Sequence, residues 1–538
     1  MNRDRRAGHL PARPCPTPRR VGASACAIAG AAERRRDLRI MLSILLGHSY
    51  FLRLDHKQWQ RAKPYPPLAT LQVATLLRRL GHEVRLFDAM LAEGVTEYVR
   101  ELEQARPQLV LIYEDNYNFL SKMCLATMRA AALEMVAAAH RMGARVIVAG
   151  SDATDSSNAY LAVGADVILH GEGLEALEAL VSRLDARADI EIGDWVQGLF
   201  GIASQAPACV ASLASEPRRG IGRTQAEPPS PAWDLVDIEG YRQVWRQAHG
   251  YFSLNMAASR GCSFRCSWCA KPIWGSQYLQ RPAGEVAAEM AQLKRQFAPD
   301  HIWFADDIFG FRADWVGEFA RAVGAVDGSI PFTIQMRADL VTERMAGALR
   351  DAGCREVWLG AESGSQRVLD AMNKGTSVAQ IHAARQRLKD VGIRVGFFIQ
   401  LGYIGEELSD ILATRRLIET ACPDDVGVSV AYPLPGTRFY ELVKAQLHGK
   451  THWQDSGDLA MMFHGTYASE FYHAIRDLLH DEVAMRTGGS ADSQTATRHG
   501  RKRLQQRWNL LLRLESSFRS TSPSAQPMEL LRTGDATI

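Results

Sequence analysis

Several things that would set a chain apart from ordinary soluble enzymes are missing here. Nine cysteines in 538 residues form no paired framework, which argues against a disulfide scaffold and for a reducing, cytoplasmic setting. There is no long uninterrupted apolar run. Met123 to Ala139 comes nearest, but it contains Arg129 and Glu134 and reads as an amphipathic helix lying on a sheet, so no transmembrane segment is expected. Net charge is also small. At +3 it gives no reason to expect nucleic acid as a partner, and the basic runs Arg34-Arg35-Arg36 and Arg501-Lys502-Arg503 read as solvated ends. What remains is 46% hydrophobic and 23% charged, a composition able to build sizeable cores, at a length that implies more than one domain.

Residues 1–40, rich in Arg, Ala and Pro, are expected to be a disordered extension or a mis-set start, because the first apolar run begins only at Ile40. From 41 to 185, short apolar runs alternate with helical patterns: Ile40 to Leu46, Glu83 to Phe87, Leu109 to Tyr113, Arg145 to Ala149 and Asp166 to Leu169. This rhythm predicts an α/β, flavodoxin-like (Rossmann-like) parallel sheet covered on both faces. Pro207, Pro217, Pro228, Pro229 and Pro231 mark 186–240 as a linker. Residues 241–450 hold six further runs, at Phe252 to Ala257, His301 to Ala305, Phe332 to Met336, Glu356 to Ala361, Val395 to Gln400 and Val426 to Tyr432. Helical patterns separate them, predicting a partial (β/α)6 barrel. A helical segment is expected over 451–486 and a mostly disordered tail over 487–538.

Chemistry concentrates at Cys262, Cys266 and Cys269, three thiols within eight residues on the loop after the first barrel run. Three thiolates without a near fourth suit an iron–sulfur cluster with one iron left open. A structural zinc site normally brings a second pair of ligands, which is not apparent here, and three cysteines cannot pair evenly as disulfides. Arg260, Arg265 and Lys271 beside the thiols favour the thiolate form. Other polar residues fall at predicted strand ends, where βα barrels build their sites. These are Asp306-Asp307, Arg337, Glu362-Ser363, Gly402 and Gly405-Glu406. Each alone also reads as a turn or cap, and Arg337 as an ion pair with Asp339. In the first half, Gly150-Ser151 and Gly171-Glu172 occupy the equivalent loops, where a ligand of such a sheet lies.

The C-x3-C-x2-C stretch Ser259-Arg-Gly-Cys-Ser-Phe-Arg-Cys-Ser-Trp-Cys resembles the radical S-adenosylmethionine superfamily. Pro66-Pro-Leu-Ala-Thr-Leu, Gly81-His-Glu-Val, Gly150-Ser-Asp and His170-Gly-Glu-Gly resemble the cobalamin-binding domain that precedes the barrel in one branch of it. The resemblance implies a [4Fe–4S] cluster on Cys262, Cys266 and Cys269, and S-adenosylmethionine at its open iron, with Trp268 beside the nucleoside. By the same resemblance, Asp306 or the Asp306-Asp307 pair would meet the methionine ammonium, Arg337 the carboxylate, Glu362 and Ser363 the ribose, and Gly402 and Gly405 the adenine. Cobalamin would lie against Gly150, Ser151, Gly171 and Glu172. The Asp-x-His-x-x-Gly cobalt-ligand motif is not matched by Asp55-His56-Lys57, so no lower histidine ligand is expected. The outcome implied is methyl transfer from methylcobalamin to an unactivated carbon of a small-molecule, lipid or natural-product substrate. Radical cyclisation or rearrangement is the alternative within the family, and a non-catalytic zinc protein the alternative outside it. A low-potential electron donor of flavodoxin or ferredoxin type is the implied partner.

Overall fold

The computed structural model describes residues 41–187, 189–204, 229–269, 277–447, 449–487 and 494–520. Lys271, Cys209 and the 1–40 extension lie outside them.

The first half builds one sheet from β1 (Ser43–Gly47), β2 (Glu83–Phe87), β3 (Leu109–Tyr113), β4 (Arg145–Ala149), β5 (Val167–Leu169) and β6 (Ile202–Ser204), in the order β2-β1-β3-β4-β5-β6. The pairings from β2 through β5 are parallel. Every residue of β3 is buried, as a strand covered on both faces should be. Helix Leu68–Arg79 turns Leu68, Leu71, Ala74 and Leu77 inward, and helix Ala126–Arg141 does the same with Met128, Ala131, Met135 and Val136. Arg129 is only half-buried and Glu134 is exposed, so the long apolar run is amphipathic, as its two charges implied. The strand order reverses between β1 and β3, which places a ligand crevice at their carboxyl ends. The expected linker contains one more strand, since β6 pairs antiparallel with β5.

The second half is a curled six-stranded parallel sheet in the order β14-β13-β12-β11-β10-β7. Its strands are β7 (Ser253–Met256), β10 (His301–Phe304), β11 (Phe332–Met336), β12 (Cys354–Glu362), β13 (Arg394–Leu401) and β14 (Asp425–Val430). Between β7 and β10 a short hairpin, β8 (Ser259–Gly261) with β9 (Tyr278–Gln280), flanks the cysteine loop. Helix Ser469–Thr487 lies against β14 and covers that edge, which would otherwise offer unpaired backbone groups. The tail expected to be mostly disordered contains helix Gln494–Arg513. Leu504, Trp508 and Leu511, spaced by four and three residues, are all buried, so a short apolar stripe was enough to dock it. Among the described residues no helix is long and apolar enough to cross a membrane.

The two halves are stitched along β7. Asn255 Nδ2 donates to the Pro66 carbonyl at 2.9 Å and Trp245 Nε1 to that of Pro64 at 2.7 Å. Tyr241 donates its hydroxyl proton to Asp88 at 2.7 Å. At the carboxyl edges the two halves meet through Lys122 with Asp307 and Arg260 with Glu172.

Candidate functional site

The cysteine loop is fastened from several directions. Ser267 N donates to Met372 O and Phe439 N to Ser267 O, both at 2.9 Å, and Asn373 Nδ2 donates to Arg265 O at 2.8 Å. Cys262 is buried, and Cys266 and Cys269 are partly exposed. Among the described residues no three His, Cys, Asp or Glu side chains converge on a single-ion position. Asp306, at the end of β10, is wholly buried. It accepts from Ala258 N at 3.0 Å and from the Ser259 hydroxyl, anchoring the strand that leads into the loop. Burial pushes its carboxyl up to about 7, against the hydrogen bonds from Ser259 and Ala258. Asp306 therefore spends its acceptors on backbone and hairpin, and Asp307 pairs with Lys122 of the first half at 2.6 Å.

Arg337 forms a fork with Asp339, Nε to Oδ1 at 2.9 Å and NH2 to Oδ2 at 3.1 Å, so the ion pair read from the sequence is formed. Glu362 sits at φ +60, at a register shift in β12 between Gly360 and Glu362. Its carboxylate accepts from Lys374 Nζ at 2.7 Å, with both side chains buried. Ser363 is also buried and bonds Thr414 Oγ1 at 3.1 Å and Ser365 N at 3.1 Å. Gly402 adopts φ +73 and Gly405 φ +77; a Cβ on Gly402 would lie 3.0 Å from Met461 Sδ and Cε, so close approach there needs glycine. Gly402 N donates to Glu406 Oε2 at 2.6 Å, and burial raises the Glu406 carboxyl to about 8. Trp268 packs against the apolar cluster that includes Val368, Met372, Tyr403 and Phe439.

On the facing edge, Glu172 accepts from Arg260 NH1 at 2.7 Å and its carbonyl accepts from the Tyr113 hydroxyl at 2.9 Å. Gly171, at φ +67, donates its N–H to Thr154 Oγ1 at 3.2 Å. Ser151 donates to the Lys122 carbonyl, and a Cβ on Gly150 would fall 2.7 Å from Glu114 Cγ. Sequence reasoning missed Lys122, buried at the domain junction, and Asn116, whose amide oxygen and nitrogen are both buried and unpartnered. It also missed His48, which follows β1, is fully buried and bonds Asp88 at 3.0 Å. Burial opposes its charging, but the Asp88 bond and the charges of Asp88, Glu114 and Asp115 outweigh that and raise its pKa. None of the three stands in a spacing that marks function.

A strap runs between the two halves. Ala126 N donates to Trp453 O at 2.7 Å, His452 Nε2 meets Asp152 Oδ1 at 2.9 Å, and the Ser456 hydroxyl donates to Asp55 at 2.8 Å. Further along, Phe463 belongs to the apolar cluster beside Trp268. The strap thus reaches from the first domain to the neighbourhood of the cysteine loop.

Does this architecture fit an iron–sulfur cluster, S-adenosylmethionine and cobalamin? A buried polar atom with no partner costs about 1–3 kcal/mol, so a group of them marks missing partners. Asn116 carries such atoms on the first edge, and Trp268 Nε1, Gln400 Oε1 and Glu406 Oε1 carry them on the barrel side. Polar ligands between two facing edges suit these donors and acceptors, and three cysteine sulfurs on one loop suit a cluster.

The sequence matches the Radical SAM superfamily over residues 256–418 and the B12 binding domain over 60–181. It is 25% identical over 382 residues to an uncharacterised methyltransferase of Pyrococcus horikoshii, covering 70% of this chain and 78% of that one. It is 24% identical over 401 residues to the hopanoid C-3 methylase of Methylococcus capsulatus, covering 71% and 69%. The fold superposes on the radical S-adenosylmethionine methyltransferase TsrM of Kitasatospora setae, determined with cobalamin and a [4Fe–4S] cluster bound. That match has a TM-score of 0.58 at 18% identity and covers 76% of this chain and 78% of that one.

Proposed function

The chain belongs to the radical S-adenosylmethionine enzymes that carry a cobalamin-binding domain, and we propose that it transfers a methyl group to an unactivated carbon of a small-molecule, lipid or natural-product substrate. The chemistry its three cofactors supply when bound is reductive cleavage of a sulfonium and carriage of a methyl group. Cys262, Cys266 and Cys269 would hold the cluster. Trp268, Asp307, Glu362 and the backbone at Gly402 and Gly405 would border S-adenosylmethionine, with Asp306 and Ser363 bracing that pocket from behind. Gly150, Ser151, Gly171 and Glu172 would border cobalamin.

The observation that carries the reading is the apposition of two carboxyl edges in one chain, bridged by the ion pairs Arg260–Glu172 at 2.7 Å and Lys122–Asp307 at 2.6 Å. Both pairs are largely withdrawn from water, so they hold the edges at a fixed separation that excludes bulk solvent from reactive species. The names of a methyltransferase and a hopanoid C-3 methylase, each matched over about 70% of this chain, support methyl transfer, while two anaerobic magnesium-protoporphyrin IX monomethyl ester cyclases, matched over about half of it, favour cyclisation as the second reading. The strap through Trp453 and Phe463 would help select the substrate, and a flavodoxin- or ferredoxin-type protein would supply the electron.

The test is anaerobic reconstitution with iron, sulfide and cobalamin. It should give a cluster absorbance, about one cobalamin per chain, and reductant-dependent 5′-deoxyadenosine. A Cys262→Ala/Cys266→Ala/Cys269→Ala variant should lose both the cluster and that product, and its keeping them would overturn the assignment. Isotope from a labelled methyl donor should appear in a product formed from extracts, and its absence from every product would defeat methyl transfer.

A further inference from the structure

The surroundings of Arg337 give it a task beyond the ion pair. The side chain is 4% exposed, and its donors are almost all committed. Nε and NH2 hold Asp339, and NH2 also reaches Lys374 O at 2.6 Å and Thr376 Oγ1 at 3.0 Å. Thr376 in turn donates to Asp339 at 3.1 Å. The guanidinium carbon stands 3.7 Å from the ring centroid of Phe264, a residue of the cysteine loop itself. What remains is NH1, which lies 3.7 Å from Cys266 Sγ. Gripping a free carboxylate bidentately needs two parallel donors, and a fork already closed on Asp339 cannot offer them.

The geometry points to Arg337 as a positioning residue for the cluster: it donates an N–H to the Cys266 thiolate and thereby holds the cluster's reduction potential up. This rests on the cluster assignment above. Hydrogen bonds to the sulfurs and local charge are among the levers that set such potentials. One-electron reduction by an external low-potential donor adds negative charge that spreads onto the ligating sulfurs, so a charged donor aimed at one of them favours the reduced state. A planar fork fixed on acceptors of three residues and stacked on an aromatic face keeps that donor in place at little entropic cost. Lys374, whose carbonyl Arg337 holds, pairs its own Nζ with Glu362 at 2.7 Å. Gly360 makes room for this pair, since a Cβ there would sit 2.7 Å from Lys374 Nζ and 2.8 Å from Glu362 Oε1.

The experiment is an anaerobic redox titration of the reconstituted full-length chain, following the reduced-cluster signal by electron paramagnetic resonance, for wild type, Arg337→Gln, Phe264→Leu and Thr376→Val. Arg337→Gln should lower the reduced-to-oxidised ratio at a fixed potential about tenfold, equivalent to about 59 mV for one electron. Phe264→Leu and Thr376→Val, which only loosen the fork, should shift it in the same direction by less. An unchanged midpoint in Arg337→Gln, with weaker S-adenosylmethionine binding instead, would overturn the proposal in favour of a carboxylate-binding arginine. Should Arg337→Gln fail to hold iron, unchanged midpoints in both milder variants would overturn it. A wild-type chain that takes up no cluster would defeat the cluster assignment itself, a result distinct from all of these.

Discussion

Breaking the bridge between Arg260 and Glu172 should be costly, and breaking it from both ends should not. The two side chains are 4% and 19% exposed and 2.7 Å apart. Removing one partner of a buried pair leaves an uncompensated charge and typically costs about 3–5 kcal/mol. Because a fifth of the Glu172 side chain still meets water, the lower end of that range applies. Arg260→Met and Glu172→Met should therefore each destabilise the chain by about 3 kcal/mol, whereas replacing both with apolar groups of similar volume should come out near neutral. That arithmetic gives an interaction term of about 6 kcal/mol in magnitude in a double-mutant cycle. The hydrogen bond from Tyr113 to the Glu172 carbonyl survives every variant, because it uses the main chain. The measurement is the urea midpoint of the full chain by circular dichroism, at low and high salt. A double variant as unstable as the sum of the singles would refute the reasoning, as would a cost that vanishes in salt, since a withdrawn pair is poorly screened.

Three further expectations can be checked directly. Burial raises the Glu406 carboxyl from 4.5 to about 8, so the folded state binds the extra proton and stability falls as pH rises through that window, by up to about 1.4 kcal/mol per unit. Glu406→Gln keeps the acceptor for Gly402 and should flatten the slope of stability against pH between about 4.5 and 8; an unchanged slope would show the group is not protonated there. A Cβ on Gly364 would meet the Ala413 carbonyl oxygen at 2.3 Å, which is backbone, so Gly364→Ala should cost about 3 kcal/mol or more and lower S-adenosylmethionine affinity through the neighbouring Ser363, read by denaturation and by equilibrium binding. Trp508 is fully buried and carries Arg415 over its ring at 4.3 Å; Trp508→Ala should cost about 3–5 kcal/mol and release helix Gln494–Arg513, which hydrogen exchange would detect as lost protection confined to that segment.

What the sequence made legible follows from where its physics is local. Continuous apolar runs such as Leu109 to Tyr113 announce strands buried on both faces, and the alternation with helical spacing announces a parallel sheet, so both sheets and the placement of the cysteine loop could be read in one dimension. The bulge at which Glu362 takes φ +60 could not, because the buried Lys374 that its carboxylate meets lies twelve residues on. The same holds for Asp307 and Arg260. Each stands beside a motif residue and so reads as part of the barrel site, yet each is neutralised by a charge from the other domain, separated by 185 residues in one case and 88 in the other. Arg337 shows the limit most plainly. Its position at a strand end suits a ligand-binding cation, and Asp339 two residues later suits a simple pair. Only the fold reveals that closing this pair turns the remaining N–H toward the sulfur of Cys266, 71 residues earlier in the chain. Short-range pattern thus identifies which residues are charged, buried or gathered on one loop. Whether a charge meets a ligand, a partner domain or a sulfur is decided by long-range contacts, and in this molecule those contacts run along the seam between the two sheets and beneath the cysteine loop.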